Sequence, residues 1–150
     1  MSPAIVVTTL STSPIAPLAL LLAESEAAGL RLVRRLVDEW AGGVTRFDQP
    51  GEALFVARLA ERVVGVCGLS VDPYGAAPGT GRVRHLYVLR AHRRLGVGRR
   101  LMLEVIASAR DSFDVLRLRT TNPVAAALYV QLGFRQRDDV ADCTHVLELR

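Results

Sequence analysis

Lysine is absent from this 150-residue chain, so all 19 of its basic residues are arginine. That absence excludes the phosphate-binding loop of nucleoside triphosphatases, which needs a Gly-Lys-Ser/Thr ending. Aromatic residues are scarce at 5%, too few for the stacking platforms that hold single-stranded nucleic acid. There are two cysteines, Cys67 and Cys143, each in an apolar stretch that reads as a strand, and their spacing fits neither a metal site nor a disulfide framework. They read as buried free thiols in a reducing compartment. The longest early apolar run, Ile15–Ala23, falls short of the roughly 18–20 residues that span a bilayer. No basic residue precedes it, so the positive start of a secretory signal is missing. The expectation is a cytoplasmic protein with no membrane partner and no metal.

Half of the residues are hydrophobic and 23% are charged, which suits a packed globular protein rather than a disordered one. The length suits a single domain over residues 1–150. The net charge of +4 is unevenly spread. No acidic residue lies between Asp72 and Glu104, yet Arg82, Arg84, Arg90, Arg93, Arg94, Arg99 and Arg100 all do. Such a segment creates a local field that favours an anion.

The hydrophobic pattern predicts a first strand over Ala4–Leu10. A helix follows, with Ser13 as N-cap, Pro14 or Pro17 in its first turn, and Leu18, Leu21 and Leu22 recurring until Gly29. Leu30, Val33, Leu36, Val37 and Trp40 predict a second helix that ends at Ala41-Gly42-Gly43. Two adjacent strands, Ala53–Leu59 and Val63–Val71, flank a hairpin at Glu61-Arg62. Asp72–Gly81, rich in proline and glycine, predicts an exposed, mobile loop. A fourth strand, Val83–Leu89, leads to a helix from about Gly98 with Leu101, Met102, Val105 and Ile106 on one face. A strand over Val115–Thr120 precedes a helix capped by Asn122 with Pro123 at its first position. Two short strands, Phe134–Arg137 and Cys143–Leu149, close the chain. The order β-α-α-β-β-β-α-β-α-β-β predicts an α/β fold, a mixed sheet with helices on both faces.

The chemistry concentrates in Arg93-Arg94-Leu95-Gly96-Val97-Gly98. Two glycines one residue apart let the backbone approach a ligand and turn its N–H groups inward, and the helix that follows adds a positive dipole end. Five arginines between Arg90 and Arg100 match a diphosphate better than a lone carboxylate. A dinucleotide fingerprint does not fit. It needs a small residue where Leu101 stands, and an acidic residue at the end of the next strand, where Thr120 and Thr121 stand.

This constellation resembles the GNAT superfamily of N-acetyltransferases, whose Arg/Gln-x-x-Gly-x-Gly/Ala signature is matched by Arg93, Gly96 and Gly98. Leu86-Tyr87-Val88 resembles the family's splayed fourth strand. Asn122 through Tyr129, followed by Leu132-Gly133-Phe134, is similar to its second motif. The resemblance covers nearly the whole chain. It implies a mostly antiparallel sheet of about seven strands with four helices, and acetyl transfer from acetyl-CoA to an amine acceptor within a ternary complex. It further implies that the amides of Arg94, Leu95, Gly96, Val97, Gly98 and Arg99 wrap the coenzyme A pyrophosphate. The main chain of Leu86, Tyr87 and Val88 would line the pantetheine arm, with the Leu86 N–H polarising the thioester carbonyl. Asn122 would hydrogen-bond that arm, and Tyr129 would donate a proton to the departing thiolate.

The general base does not carry over. Many relatives place a glutamate where this chain has Arg82. His85 and Glu52 are the titratable alternatives, and strand alternation sets His85 with Tyr87, opposite Arg82. Arg82 and Arg84 could instead greet a carboxylate on the acceptor. Two readings from other classes stay open. One is an acyl-CoA-binding module without catalysis, suggested by the missing glutamate; the other is a nucleic-acid binder, suggested by a pI near 9.8. Nothing in the pattern distinguishes a monomer from a homodimer.

Overall fold

A computed structural model describes residues 4–74 and 77–150. Its elements are β1 (Ile5–Leu10), α1 (Ala19–Ala27), α2 (Leu32–Ala41), β2 (Ala53–Leu59), β3 (Arg62–Val71), β4 (Thr80–Val88), α3 (Val97–Ala109), β5 (Val115–Leu118), α4 (Pro123–Gln131), β6 (Arg135–Gln136) and β7 (His145–Glu148). The seven strands form one sheet in the order β1-β2-β3-β4-β5-β7-β6. Every neighbouring pair is antiparallel except β4 and β5. That single parallel pair follows from the helical crossover α3, since parallel strands need a long connection.

The expected element order therefore holds, with local differences that have physical causes. Ser13 does not cap α1. Its hydroxyl accepts from the Ile15 N–H, and the two prolines turn the chain so that regular helix begins only at Ala19. Leu30 lies outside α2, exposed, while Val33, Leu36 and Val37 are buried. The β2–β3 hairpin turns on Ala60 and Glu61, both with positive φ, the geometry whose twist matches paired strands. β4 starts at Thr80, where Thr80 and Gly81 are buried, so the connecting loop is shorter than Asp72–Gly81. Part of that expected mobile loop, residues 75 and 76, lies outside the described residues. Both cysteines are free and buried, although Cys143 precedes β7 rather than belonging to it.

Cross-strand register assigns the two faces of the sheet, because directly opposed residues share a face. Val66, Gly68 and Ser70 of β3 stand opposite Tyr87, Arg84 and Arg82 of β4. This face carries α1 and α2: the Tyr87 hydroxyl donates to Glu24 of α1 at 2.7 Å, and Arg84 pairs with Glu39 of α2 at 3.0 Å. The other face, with Gly65, Cys67 and Leu69, carries α3. Cys67 Sγ lies 3.9 Å from Met102 Sδ. A Cβ on Gly65 would meet the Leu101 and Val97 side chains at 3.0 Å and 3.1 Å, so glycine here lets α3 pack closely without displacing them. Leu101, Met102, Val105 and Ala109 are fully buried there, each large side chain contributing roughly 2 kcal/mol of apolar burial.

Candidate acetyl-CoA and acceptor site

The central irregularity is in β4. Cys67 alone on β3 faces the two residues His85 and Leu86, and His85 adopts φ +60°. This bulge reverses the alternation beyond it. Tyr87 consequently shares the face of Arg82 and Arg84, whereas simple alternation had set it opposite them.

A second break lies on the other edge of β4. Pairing with β5 covers only Thr80, Gly81 and Arg82, opposite Val115, Leu116 and Arg117. From Val83 to Val88 the strand has no partner on that side among the described residues, so it leaves a wedge with unpaired main-chain groups, within which Leu86 and Val88 are half-buried.

The wedge opens toward the start of α3. After a 3₁₀ turn at Arg90–His92, Arg94 takes φ +70° and Gly96 φ +82°. Gly96 is the N-cap of α3 and offers no side chain to the first-turn N–H groups, so they have no cap. α4 begins differently: Asn122 Oδ1 accepts from the N–H groups of Val124 at 2.9 Å and Ala125 at 3.3 Å, with Pro123 at the first position. Of two helix starts side by side, only that of α3 is left free for an external anion.

Arg94, Leu95, Gly96 and Arg99 are exposed, and Val97 is buried as the anchor. Arg93 turns back to brace the strand end, its Nε donating to the Val88 carbonyl at 2.9 Å and its guanidinium lying 5.3 Å from the Tyr87 ring. Arg99 ties α3 to α4 through Gln131 at 2.6 Å. Between these helices lies an open, mainly apolar cleft of about 660 Å³, lined by Arg94, Pro123, Val124, Ala127, Leu128 and Gln131. The fit to a nucleotide-bearing thioester is therefore consistent. Uncapped amides and arginines suit a diphosphate, the cleft suits the apolar stretches, and the wedge suits an amide-containing arm.

Tyr129 is 5% exposed, with Phe134 and His145 rings at 5.6 Å and 6.2 Å. It reaches the α3 face, where Cys67 lies and where His145 stands opposite Leu118. Burial, and to a lesser extent nearby Cys67, raises its pKa well above the ordinary tyrosine value. The phenolic proton is therefore retained at neutral pH.

The candidate bases fare less well. Arg82 is buried and pairs with Asp72. His85 is pushed down to about 3 by burial, then by Arg84 and Arg35, with a backbone contact to Leu32 offsetting part of this. It is a weak base. Glu52 sits just before β2, where it accepts from the N–H groups of Gln49 and Val71, at the end of β3 away from the wedge.

One residue that local pattern could not reveal is Glu24. Besides the Tyr87 hydroxyl it accepts the Arg90 N–H at 2.8 Å, placing a carboxylate beside the arginine-rich turn. The Tyr87 bond, followed by the Arg90 amide and the Arg93 and Arg90 charges, outweighs desolvation and lowers its pKa. Desolvation and the same bond push Tyr87 up to about 12.

Residues 19–134 match the profile of the acetyltransferase (GNAT) family. A solved structure from Exiguobacterium sp. 255-15, assigned to the acetyltransferases, superimposes with a TM-score of 0.84 and 30% identity over 97% of this chain and 93% of that one. An acetyltransferase of the GNAT family from Staphylococcus aureus Mu50 shares the fold, with a TM-score of 0.76 and 18% identity over 98% of this chain and all of its own. Human N-acetyltransferase 8 is 36% identical over 93 residues, which cover 59% of this chain and 41% of that protein. Among the described residues no helix is long and apolar enough to cross a membrane. With its uncapped α3, its parted β4 and these matches, the chain belongs to the acetyltransferase (GNAT) family.

Proposed function

We propose that this protein transfers an acetyl group from acetyl-CoA to the nitrogen of an amine, with both substrates bound at once in the β4 wedge. The observation that carries the reading is the uncapped start of α3 at Gly96 beside a β4 edge that β5 leaves unpaired. The cofactor supplies an acyl group already activated as a thioester. The amides from Arg94 to Arg99 hold its diphosphate, the main chain of Leu86, Tyr87 and Val88 lines its arm, and the free amide nitrogen of Asn122 donates to it. A Leu86 N–H aimed at the thioester oxygen stabilises charge that develops as the amine attacks. Juxtaposing two substrates supplies several kcal/mol of the barrier, about 7–11 kcal/mol at best.

Tyr129 returns a proton to the departing sulfur. Burial raises its pKa, but a thiolate in the same apolar surroundings becomes more basic for the same reason, so transfer remains feasible. The balancing proton comes from the amine. With Arg82 in the place of a carboxylate and His85 poorly basic, it leaves through water. Two buried free thiols fit a reducing compartment, and we assign the protein to the cytoplasm.

An acyl-CoA-binding module remains the second reading, favoured by the arginine in the base position. The purified chain with acetyl-CoA separates them. We expect millimolar acetyl-CoA to raise the melting temperature, and a panel of amines to release free thiol. Binding without thiol release leaves the module; no thermal shift removes both readings. Several arginines are neutralised internally, as in Arg84–Glu39, Arg117–Asp72 and Arg135–Glu148, which leaves less free charge for a nucleic-acid backbone than the pI suggests.

A further inference from the structure

Arg82 and Arg117 form the last pair across β4 and β5 before the strands part. They share the α1/α2 face, opposite the face from which Tyr129 approaches. If the thioester lies in the wedge with its sulfur toward Tyr129, an attacking amine reaches the acyl carbon from this side. What waits there is a buried cluster of two guanidinium groups and one carboxylate. Asp72, its side chain 1% exposed, lies 3.5 Å from Arg82 and 3.1 Å from Arg117.

The cluster carries one uncompensated positive charge. Arg82 is 6% exposed, donates through Nη2 to the Asp142 carbonyl, and packs its guanidinium 4.4 Å from the Tyr74 ring. Its Nη1 faces Asp72 Oδ1 at 3.5 Å and makes no hydrogen bond among the described residues. Two guanidinium groups that share one buried carboxylate leave a charge that is costly to maintain without a further anion. Arg84, two residues further along the strand, is different, because both Glu39 oxygens receive its Nη2 at 3.0 Å and 3.2 Å. Among the described residues, Arg82 and Arg117 thus hold the excess charge of this inner group. Asp72 stands close enough to repel a dianion more strongly than a monoanion, which favours carboxylate over phosphate. Tyr74, 47% exposed, covers Arg82 from the solvent side.

We infer that the Arg82–Asp72–Arg117 cluster reads a carboxylate on the amine acceptor, as in an amino acid, with Tyr74 as its cover. The inference rests on the acetyl-transfer reading above and narrows its acceptor class. A carboxylate orients the amine, completes the charge of the cluster, and explains why an arginine occupies the place where relatives keep a base.

The test compares amino acids with their own carboxamides as acceptors, followed by thiol release from acetyl-CoA. We expect kcat/KM for the acids to exceed that for the carboxamides by about tenfold or more, mainly through KM, as a charge-assisted hydrogen bond implies. Arg82→Gln should bring the acid-to-amide ratio near unity. Because Arg82 is buried, Tyr74→Ala at its exposed position serves as a second probe and should lower the same ratio. Acids and carboxamides turned over equally by the unaltered protein, or turnover confined to neutral amines, marks the cluster as an internal staple and overturns the inference while acetyl transfer stands. A missing acetyl-CoA thermal shift would remove the underlying reading as well.

Discussion

The two sides of β4 are built by different means. On the wedge side, the recognition we propose rests on main-chain groups: the unpaired edge of Val83–Val88, the left-handed turn at Gly96 and the uncapped first turn of α3. On the α1/α2 side it rests on long charged side chains drawn from remote segments, such as Glu24 to Tyr87, Glu39 to Arg84, and Asp72 to both Arg82 and Arg117. Main-chain recognition constrains a short stretch of sequence and tolerates little variation. Side-chain recognition can be exchanged one pair at a time, which is how one donor site can serve many acceptors.

The sharpest way to break this contrast is Tyr129→Phe. The ring contacts to Phe134 and His145 survive, so the fold should persist with little change in melting temperature. Loss of the hydroxyl removes the proposed proton donor, and kcat should fall by roughly 10²-fold or more, the low end of what a positioned acid contributes. The thermal shift given by acetyl-CoA should stay as it was. A kcat within a factor of two of the parent would assign Tyr129 to packing alone.

A smaller effect separates two neighbouring glycines. Gly96 has φ +82° with open space around its would-be Cβ, so Gly96→Ala meets no steric obstacle from other residues. Its cost comes from forcing an L side chain into the left-handed region, about 1–2 kcal/mol, or from tilting the amides that we propose hold the diphosphate. Gly98 lies inside α3, with a would-be Cβ at ordinary distances of 3.6 Å from Leu128 and 3.9 Å from Val88. Gly98→Ala should therefore be neutral or slightly stabilising. Titrating each variant with acetyl-CoA should show Kd raised several-fold for Gly96→Ala and little altered for Gly98→Ala. Equal effects would mean that the turn geometry at Gly96 is not what binds the cofactor.

The same division decided what could be read without coordinates. The Asn122-Pro123 start of α4, the glycine turn before α3 and the apolar face of α3 are local, and they are where the sequence places them. The bulge at His85 is not local. It depends on one residue of β3 facing two of β4, a count no periodicity contains, and it moved Tyr87 to the face opposite the one alternation assigns. Glu24 was equally hidden, because α1 gives no sign of which strand end it will reach across 63 residues. Asp72 looked like the first residue of a solvent loop beside Pro73. Its burial arises only when two arginines from paired strands converge on it.

His85 offers the finest test, because the bulge that puts it against α2 also determines how it titrates. Burial, with Arg84 and Arg35 nearby, depresses its pKa to about 3 from 6.5. A folded-state pKa below the unfolded value means that the unfolded chain binds the proton first. The contribution of neutral His85 to stability is then complete above about pH 6.5 and is lost progressively as the pH falls toward 3. The slope can approach about 1.4 kcal/mol for each pH unit, one proton's worth. Asparagine tolerates positive φ better than most residues and does not titrate, so His85→Asn should keep the bulge and remove this slope. Denaturant unfolding from pH 7 to pH 5 should therefore show the parent losing stability faster than the variant. Parallel pH profiles would mean that His85 is open to water in solution and that the α2 side of β4 is looser than its side-chain pairs imply.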